Sequence, residues 1–580
     1  MDMFKVTVNG VEVEAPKGTT VLDAAKKAGV DIPTLCYMRK VNEIGACRIC
    51  MTEVDEGRGF RLVASCVYPI SNGMKIKTNS KTVMDSRRTT LELILSTHNK
   101  KCLSCVRSGH CELQNLCNDM GVDNELAFMG ENETYELDFS ATHMYRDNSK
   151  CILCRRCVAA CEQQGVGVIG PNNRGFKTHI SSAYELGLGE TSCISCGQCI
   201  AVCPVGAISE KDYTADVFEA IADPNKYVVV QTAPSVRAAL GEEFGFPIGT
   251  NVEGKMASAL RQMGFDGVFD TNFGADLTIM EEANELVERV QNGGSLPMIT
   301  SCSPGWVKYC EHYFPELTNH LSSCKSPMTM QGATAKTYYA EKLGIDPKNM
   351  VSVAVMPCTA KKFEAKRDNE SAAGVPDIDY VLTTREFARM IRRCGMNFAE
   401  LPDSKFDTPF GITTGAAVIF GATGGVMEAA LRTASYFITG KDPDNVDFGE
   451  VRGVKGIKEA TYKIGDLEVK VAVASCTANA ALLLQQIKEG KSPYTFIEVM
   501  ACPGGCVNGG GQPQQPMSVR NFVDLRAERA KALYDEDAGK VIRCSHQNPE
   551  IKAVYDEFFG KPGSHKAHEI LHTSYVKRGM

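Results

Sequence analysis

Cysteine spacing is the most chemically specific feature of this sequence. Of 25 cysteines in 580 residues, 16 lie between Cys36 and Cys203, mostly two or three residues apart. Thiolates at such spacing hold soft or borderline metals, because a short loop turns both sulfurs onto one ion. Cys36, Cys47, Cys50 and Cys66 form one set, with gaps of x10, x2 and x15. Four thiolates suit either a [2Fe–2S] cluster or zinc. His98, Cys102, Cys105 and Cys111 form a second set, with gaps of x3, x2 and x5. Three thiolates and one imidazole also suit structural zinc, so spacing alone does not choose. With iron bound there, a neutral imidazole in place of a thiolate would raise the potential. Cys117, close by, reads as a small buried hydrophobe.

A repeat follows: Cys151-x2-Cys154-x2-Cys157-x3-Cys161, then Cys193-x2-Cys196-x2-Cys199-x3-Cys203-Pro204. It is the bacterial two-cluster ferredoxin run, in which each fourth cysteine serves the other cluster. Cys151, Cys154, Cys157 and Cys203 are therefore expected to hold one [4Fe–4S] cluster. Cys193, Cys196, Cys199 and Cys161 are expected to hold the other. The Cys36 set resembles plant-type ferredoxin domains, although its first gap is x10 where those have x4. Clusters in series pass electrons one at a time, so this third of the chain reads as a wire.

The elements that position these groups can be read from hydrophobic patterning. Residues 1–80 alternate polar and apolar, with one short helix at TVLDAAKKAG, which predicts a small mixed sheet. From about residue 210, apolar runs such as KYVVVQTAPSV, MVSVAVMPCTA and TFIEVMACPGGC lead into small-residue turns and helices. That pattern predicts α/β architecture with mostly parallel sheets, whose sites form at the carboxyl ends of strands. Cys302, Cys358, Cys502 and Cys506 all follow such runs. Cys310, Cys324, Cys394, Cys476 and Cys544 lack a partner motif and read as structural. Taken alone, EEANELVERV (281–290) looks like a solvated helix face. GATGGVMEAA and GGGQP match no nucleotide-binding pattern, and their glycines are expected to let backbone approach a buried object.

Composition narrows the function classes further. A net charge of −7 argues against nucleic acid as the main partner. No apolar run approaches the ~20 residues of a membrane span. The alternating start, MDMFKVTVNGVEVEA, has no signal-peptide layout, so the chain is expected to be cytoplasmic.

Three separated motifs carry a resemblance along essentially the whole chain: TSCSPGW at 300–306, MPCTAKKFEA at 356–365 and EVMACPGGCVNGGG at 498–511. With the four cluster motifs, they resemble the [FeFe]-hydrogenases. The resemblance implies a multidomain α+β and α/β protein, with ferredoxin-like N-terminal cluster domains and a large two-lobed α/β catalytic domain. The expected domains are 1–79 ([2Fe–2S]), 80–139 (a [4Fe–4S] region with one histidine and three cysteines), 140–209 (two [4Fe–4S]) and 210–580 (catalytic). The implied cofactors are one [2Fe–2S], three accessory [4Fe–4S] clusters and an H-cluster. The last is a [4Fe–4S] cluster joined through a thiolate to a diiron unit bearing CO, cyanide and a dithiolate. By resemblance Cys358, Cys502 and Cys506 are cluster ligands, with Cys506 as the bridge.

The chain departs from the family at Ser303, where Cys-Cys-Pro is common. Either the Ser303 oxygen ligates and Cys302 relays protons, or Cys302 ligates and the relay changes. Thiolate preference favours the second; backbone register favours the first. The implied relay runs from Cys302 through Glu282, Ser322 and Glu285, with Arg289 near the exit. The implied pocket comprises Ala233, Pro234, Ser235, Pro327, Met356, Lys361, Phe420 and Met500, with Lys361 offering positive charge to a cyanide. Met328 departs from a common Gln and Ile299 from a common Phe. The implied activity is 2H⁺ + 2e⁻ ⇌ H₂, with ferredoxin or a flavin-bearing NAD(P)-binding subunit as electron partner and maturation proteins supplying the diiron unit. The alternative is a non-catalytic or sensory hydrogenase-like cluster protein.

Overall fold

The computed structural model of the chain describes residues 2–130, 132–465 and 467–579. At the N-terminus, β1 (Met3–Val8) and β2 (Val11–Pro16) form a hairpin. Asn9 and Gly10 turn it, both at positive φ (48° and 89°), the backbone that a two-residue primed turn requires. With β3 (Met51–Asp55), β4 (Arg61–Ala64) and β5 (Lys75–Lys77) they build a sheet of order β2-β1-β5-β3-β4. It is antiparallel except at β1–β5, so the mixed sheet expected from the alternation is present. Helix α1 (Val21–Lys27) is capped by Thr20, whose Oγ1 accepts from the Asp23 N–H at 3.1 Å, and buries Val21, Leu22, Ala24 and Ala25 in this domain's core.

Helix α2 (Lys81–Thr97) ends where His98 turns extended (φ −90°, ψ 134°), and α3 (Glu112–Asp119) starts directly after Cys111. The repeated cysteine run gives two short helices that pack together, α4 (Arg156–Gln163) and α5 (Gln198–Val202). Each follows a left-handed residue, Arg155 (φ 60°) and Gly197 (φ 69°). Leu153, Ser195 and Arg48 inside the Cys-x2-Cys loops are left-handed too. Alternating right- and left-handed residues point successive N–H groups into one concavity, which suits an anionic cluster.

The remainder carries two four-stranded sheets. In the first, Gly267–Asp270, Tyr227–Thr232, Met350–Met356 and Tyr380–Thr383 lie side by side, all parallel. Met350–Met356 is buried at every position, as a parallel strand covered on both faces should be. In the second, Met298–Ile299, Phe496–Met500 and Leu467–Ser475 are parallel and Ile457–Ile464 closes the edge antiparallel.

The helix Thr271–Asn292 serves both lobes. Phe273, Leu277 and Met280 enter one core, whereas Ala275, Ile279 and Leu286 enter another. Its Glu281 and Glu282 are each 1% exposed. The solvated face suggested by EEANELVERV is therefore wrong at its first turn, because packing on two sides leaves that turn no water-facing side. No helix among the described residues is long and apolar enough to cross a membrane.

The glycines of 509–511 let neighbouring segments approach closely. A Cβ on Gly510 would sit 2.3 Å from the Cys196 carbonyl oxygen, and one on Gly509 would sit 2.2 Å from that of Pro357. They close the seam between the wire and the catalytic lobes. Across it Gln198 Nε2 donates to Asn508 O at 2.9 Å and Thr359 Oγ1 donates to Ser195 O at 2.8 Å.

Candidate active site and cluster sites

The thiols gather into groups. Cys66 lies beside Cys50, Cys36 and Cys47. A shared proton pulls Cys47 down to about 6 and pushes Cys36 up. Four thiols that compete for protons in one pocket are a donor set that fits a bound cationic centre. His98 is half-buried, and the loss of water around its ring holds the imidazole neutral by pushing it down to about 4; its Nδ1 has no hydrogen-bond partner. An orphaned, neutral ring nitrogen fits a metal ligand. Cys111 lies near Cys105, and Cys117 lies near both Cys111 and Cys102.

The thiols of the repeat gather into two adjoining groups. Cys203 lies beside Cys151, Cys154 and Cys157, whereas Cys161 lies beside Cys193 and Cys199. The groups also follow one another in space. Asn42 Nδ2 donates to both Cys36 O (2.8 Å) and Cys154 O (3.0 Å), tying the first group to the third. Cys105 packs on Gly206, just past the Cys203-Pro204 turn, tying in the His98 group. Cys157 neighbours Cys199, and Cys196 neighbours Cys502. Two entrances therefore meet at the Cys151 group, and a single line continues to the catalytic lobes.

At the end of that line Cys358, Cys502 and Cys506 lie together, Cys502 buried and the other two half-buried, and removal from water pushes each thiol up. Three mutually repelling thiols withdrawn from water fit ligation better than packing, because a bound metal replaces the protons. Beside them is a cavity of ≈ 60 Å³ lined by Cys302, Cys358 and Cys506 and by Ala233, Pro234, Ser235, Pro327, Met328, Met356, Lys361, Phe420 and Met500. Every pocket residue expected from the resemblance is in its wall, with Thr271, Ala275, Pro357 and Gly421 in addition. Sequence reading named none of these four as pocket residues, although Gly421 opens the GATGGVMEAA run expected to approach a buried object. Thr271 could have been found, since it directly follows a strand end. The Ser235 hydroxyl is buried without a partner, free to bond a polar group in the cavity.

Ile299 is not in the wall. It is buried in the neighbouring core, and its carbonyl accepts the Ser322 N–H at 2.7 Å. Lys361 is buried, with Nζ donating to Ser326 Oγ (2.7 Å), Glu364 Oε2 (2.7 Å) and Cys302 O (3.2 Å). Its three protons are already engaged, so what it adds to the cavity is positive charge.

Cys302 and Ser303 diverge. Cys302 lines the cavity near Glu282, Cys506 and Lys361, whereas Ser303 does not line it and its Oγ accepts from the Ala501 N–H at 3.2 Å. Ser303 also starts the helix Pro304–Tyr313. Glu282 is fully buried, both its oxygens lack partners, and burial with the nearby Glu285 charge pushes it up to about 8. It is a carboxylic acid at neutral pH. Ser322 Oγ donates to Glu285 Oε2 at 2.8 Å, and Arg289 binds Glu285 Oε1 at 2.6 and 3.1 Å. Cys302, Glu282, Ser322, Glu285 and Arg289 thus run from cavity towards surface.

Comparison with known proteins agrees along the chain. Residues 226–510 match the family described as iron only hydrogenase large subunit, C-terminal domain, and 523–578 match the iron hydrogenase small subunit. Residues 1–81 match a 2Fe-2S iron-sulfur cluster binding domain, 87–125 an NADH-ubiquinone oxidoreductase-G iron-sulfur binding region, and 150–207 a 4Fe-4S dicluster domain. The NADP-reducing hydrogenase subunit HndD of Solidesulfovibrio fructosivorans is 49% identical over 100% of both chains. Iron hydrogenase 1 of Clostridium pasteurianum is 44% identical over 99% of this chain and 100% of its own. The solved apo [FeFe]-hydrogenase HydA1 from Chlamydomonas reinhardtii is 41% identical with a TM-score of 0.56, covering 64% of this chain and 100% of that one.

Proposed function

The chain belongs to the iron-only, or [FeFe], hydrogenases, and from that premise we propose that it couples 2H⁺ + 2e⁻ ⇌ H₂ to a flavin-bearing NAD(P)-binding partner subunit. The family membership makes it a hydrogenase. The partner reading is supported by the full-length likeness to a chain named as an NADP-reducing hydrogenase subunit; soluble ferredoxin is the competing donor. A cytoplasmic setting accords with 25 free cysteines, which a reducing compartment keeps unpaired. Maturation proteins would supply the diiron unit.

Cofactors are assigned by donor set. The Cys36 group would hold [2Fe–2S]. The His98 group and the two crossed groups would hold three [4Fe–4S] clusters. Cys358, Cys502 and Cys506 would hold the H-cluster, with Ser303 at the fourth position. When bound, the H-cluster supplies the centre at which hydrogen is made or split. The chain's own residues do the rest. Cys302 holds a proton at the cavity wall. Glu282, neutral below about pH 8, can both give and take a proton there. The Ser322 hydroxyl passes it to Glu285, and Arg289 fixes that carboxylate. Met356, Met500, Phe420 and Pro327 exclude water, and Ser235 and Lys361 offer a hydrogen bond and positive charge.

The observation that carries the reading is the convergence of Cys302, Cys358 and Cys506 on one buried cavity, with an unpartnered buried Glu282 behind it. Infrared spectroscopy on anaerobically matured protein tests it. CO and cyanide bands that shift under H₂ are expected; no bands in protein with full cluster iron would leave only a cluster-carrying role. For Ser303, the Ser303→Cys variant is expected to shift the site cluster's EPR signal and leave the accessory signals unchanged. An unchanged spectrum would remove Ser303 from the ligand set. Co-purification of a flavoprotein with NADP⁺-dependent hydrogen uptake tests the partner.

A further inference from the structure

Next to the relay, three side chains of metal-binding type converge outside the cavity and the cluster groups. Cys324 and His572 oppose each other across an isolated antiparallel bridge, fixed by Lys325 N–H donating to Leu571 O (2.9 Å) and Thr573 N–H donating to Ser323 O (2.8 Å). Directly opposed residues project to the same side. Glu285 reaches that side from the long helix, with Oε2 3.7 Å from Cys324 Sγ. One ligand atom from each of Glu285, Cys324 and His572 lies within 4.8 Å of the other two. Zinc bonds of about 2.0–2.3 Å set tetrahedral ligands roughly 3.3–3.7 Å apart. The Cys–Glu edge already has that length, and a His572 nitrogen lies within 4.8 Å of both.

The groups behind the triad favour ligation as well. His572 Nε2 lies 3.2 Å from Glu281 Oε2, and Glu281 is itself held by the Tyr555 hydroxyl and by Gly563 N–H at 2.9 Å. A carboxylate behind a histidine is what fixes a ligating imidazole. It leaves Nδ1, now paired with the Ser323 hydroxyl at 2.8 Å, to face an ion. One thiolate, one imidazole and one carboxylate suit zinc or cadmium and leave a fourth position for water. The site is not sealed: the Glu285 side chain is 14% exposed, and the exposed His568 stacks on His572.

We infer that Glu285, Cys324 and His572 form a binding site for a zinc-type divalent ion, and that an ion there takes Glu285 out of the proton relay. Binding releases the Cys324 thiol proton to solvent. The ion occupies the same Glu285 oxygen that accepts the Ser322 hydroxyl, so metal and proton compete for it. The binding half stands on this geometry alone; the blocking half rests on the relay proposed above.

Two readouts separate the halves. Matured holoenzyme is treated with zinc chloride, gel-filtered and analysed for zinc, with X-ray absorption at the zinc edge. The wild type is expected to retain one more zinc than Cys324→Ser or His572→Gln, with one sulfur and one imidazole in its shell. Hydrogen uptake with a viologen is expected to be at least about tenfold less zinc-sensitive in both variants, with their cluster iron reporting that they fold. Equal zinc in wild type and variants, or none retained, overturns the site. Retained zinc with undiminished uptake overturns the blockade and, with it, Glu285 as a relay member.

Discussion

The wire and the catalytic lobes both gather cysteines, yet by different means. In the wire, ligands two or three residues apart are brought together by the loop itself, with left-handed residues at Arg48, Leu153 and Ser195 shaping the concavity. In the lobes, Cys302, Cys358 and Cys506 meet only because parallel strands of two sheets end at one cavity. The first arrangement is local and repeatable; the second depends on contacts made across more than two hundred residues. The wire is therefore expected to tolerate change group by group, whereas the site fails as a whole.

The sharpest way to separate the regions is the relay acid. Glu282→Gln keeps the shape and removes proton exchange, and general acid–base groups contribute about 10²–10⁴-fold. Hydrogen evolution is expected to fall by about that factor, with the infrared and EPR spectra of the clusters unchanged. Evolution within about threefold of wild type would take Glu282 out of the path.

The converse change, Cys199→Ser, strikes the wire. Partner-driven turnover is expected to drop at least about tenfold, because one cluster in the series is weakened. Hydrogen–deuterium exchange, which needs no electrons from the wire, should stay near wild type. A parallel loss of both would mean that the two regions do not function separately.

Gly510→Ala tests the seam itself. The new methyl would meet the Cys196 carbonyl and Gly197 at 2.3 and 2.6 Å, and overpacking of this kind costs about 1–3 kcal/mol. A lower denaturation midpoint is expected, together with an altered EPR signal from the cluster of Cys193, Cys196, Cys199 and Cys161. The signals of the Cys36 and His98 groups should not move.

Per pH unit, the smallest effect is the pH dependence of stability. Glu282 is raised from 4.5 to about 8 by burial and by Glu285, so between those values the folded chain holds a proton that the unfolded chain releases. Its contribution is fully present below about pH 4.5 and is lost as pH rises through about 8. The slope is at most about 1.4 kcal/mol per pH unit. Denaturation midpoints of Glu282→Gln should lack that part of the wild-type slope, and identical slopes would place the acid in water.

Most of the wire was legible because a Cys-x2-Cys-x2-Cys run constrains its own loop. Even the placing of Cys203 beside Cys151, Cys154 and Cys157, and of Cys161 beside Cys193, was expected from the repeat. The apolar runs of the lobes also gave the parallel strands, since strands covered on both faces are continuously apolar. Less was legible where side chains from distant segments decide the environment. Nothing in EEANELVERV distinguishes a buried Glu282 from a surface one. Lys361 gave no sign that Ser326, Glu364 and Cys302 would engage it. Cys324 looked structural until the C-terminal segment set His572 opposite it.

The sequence by itself determined the kinds of side chain, their grouping along the wire and the family, because these depend on residue type and on separations the backbone bridges locally. Only the tertiary structure decided that Cys302 faces the cavity while Ser303 turns to Ala501, that Glu282 is a neutral acid and that Glu285 has a thiol and an imidazole beside it. These are matters of burial and of approach between segments far apart in sequence. Charge state and coordination follow from what surrounds a side chain, and folding supplies those surroundings.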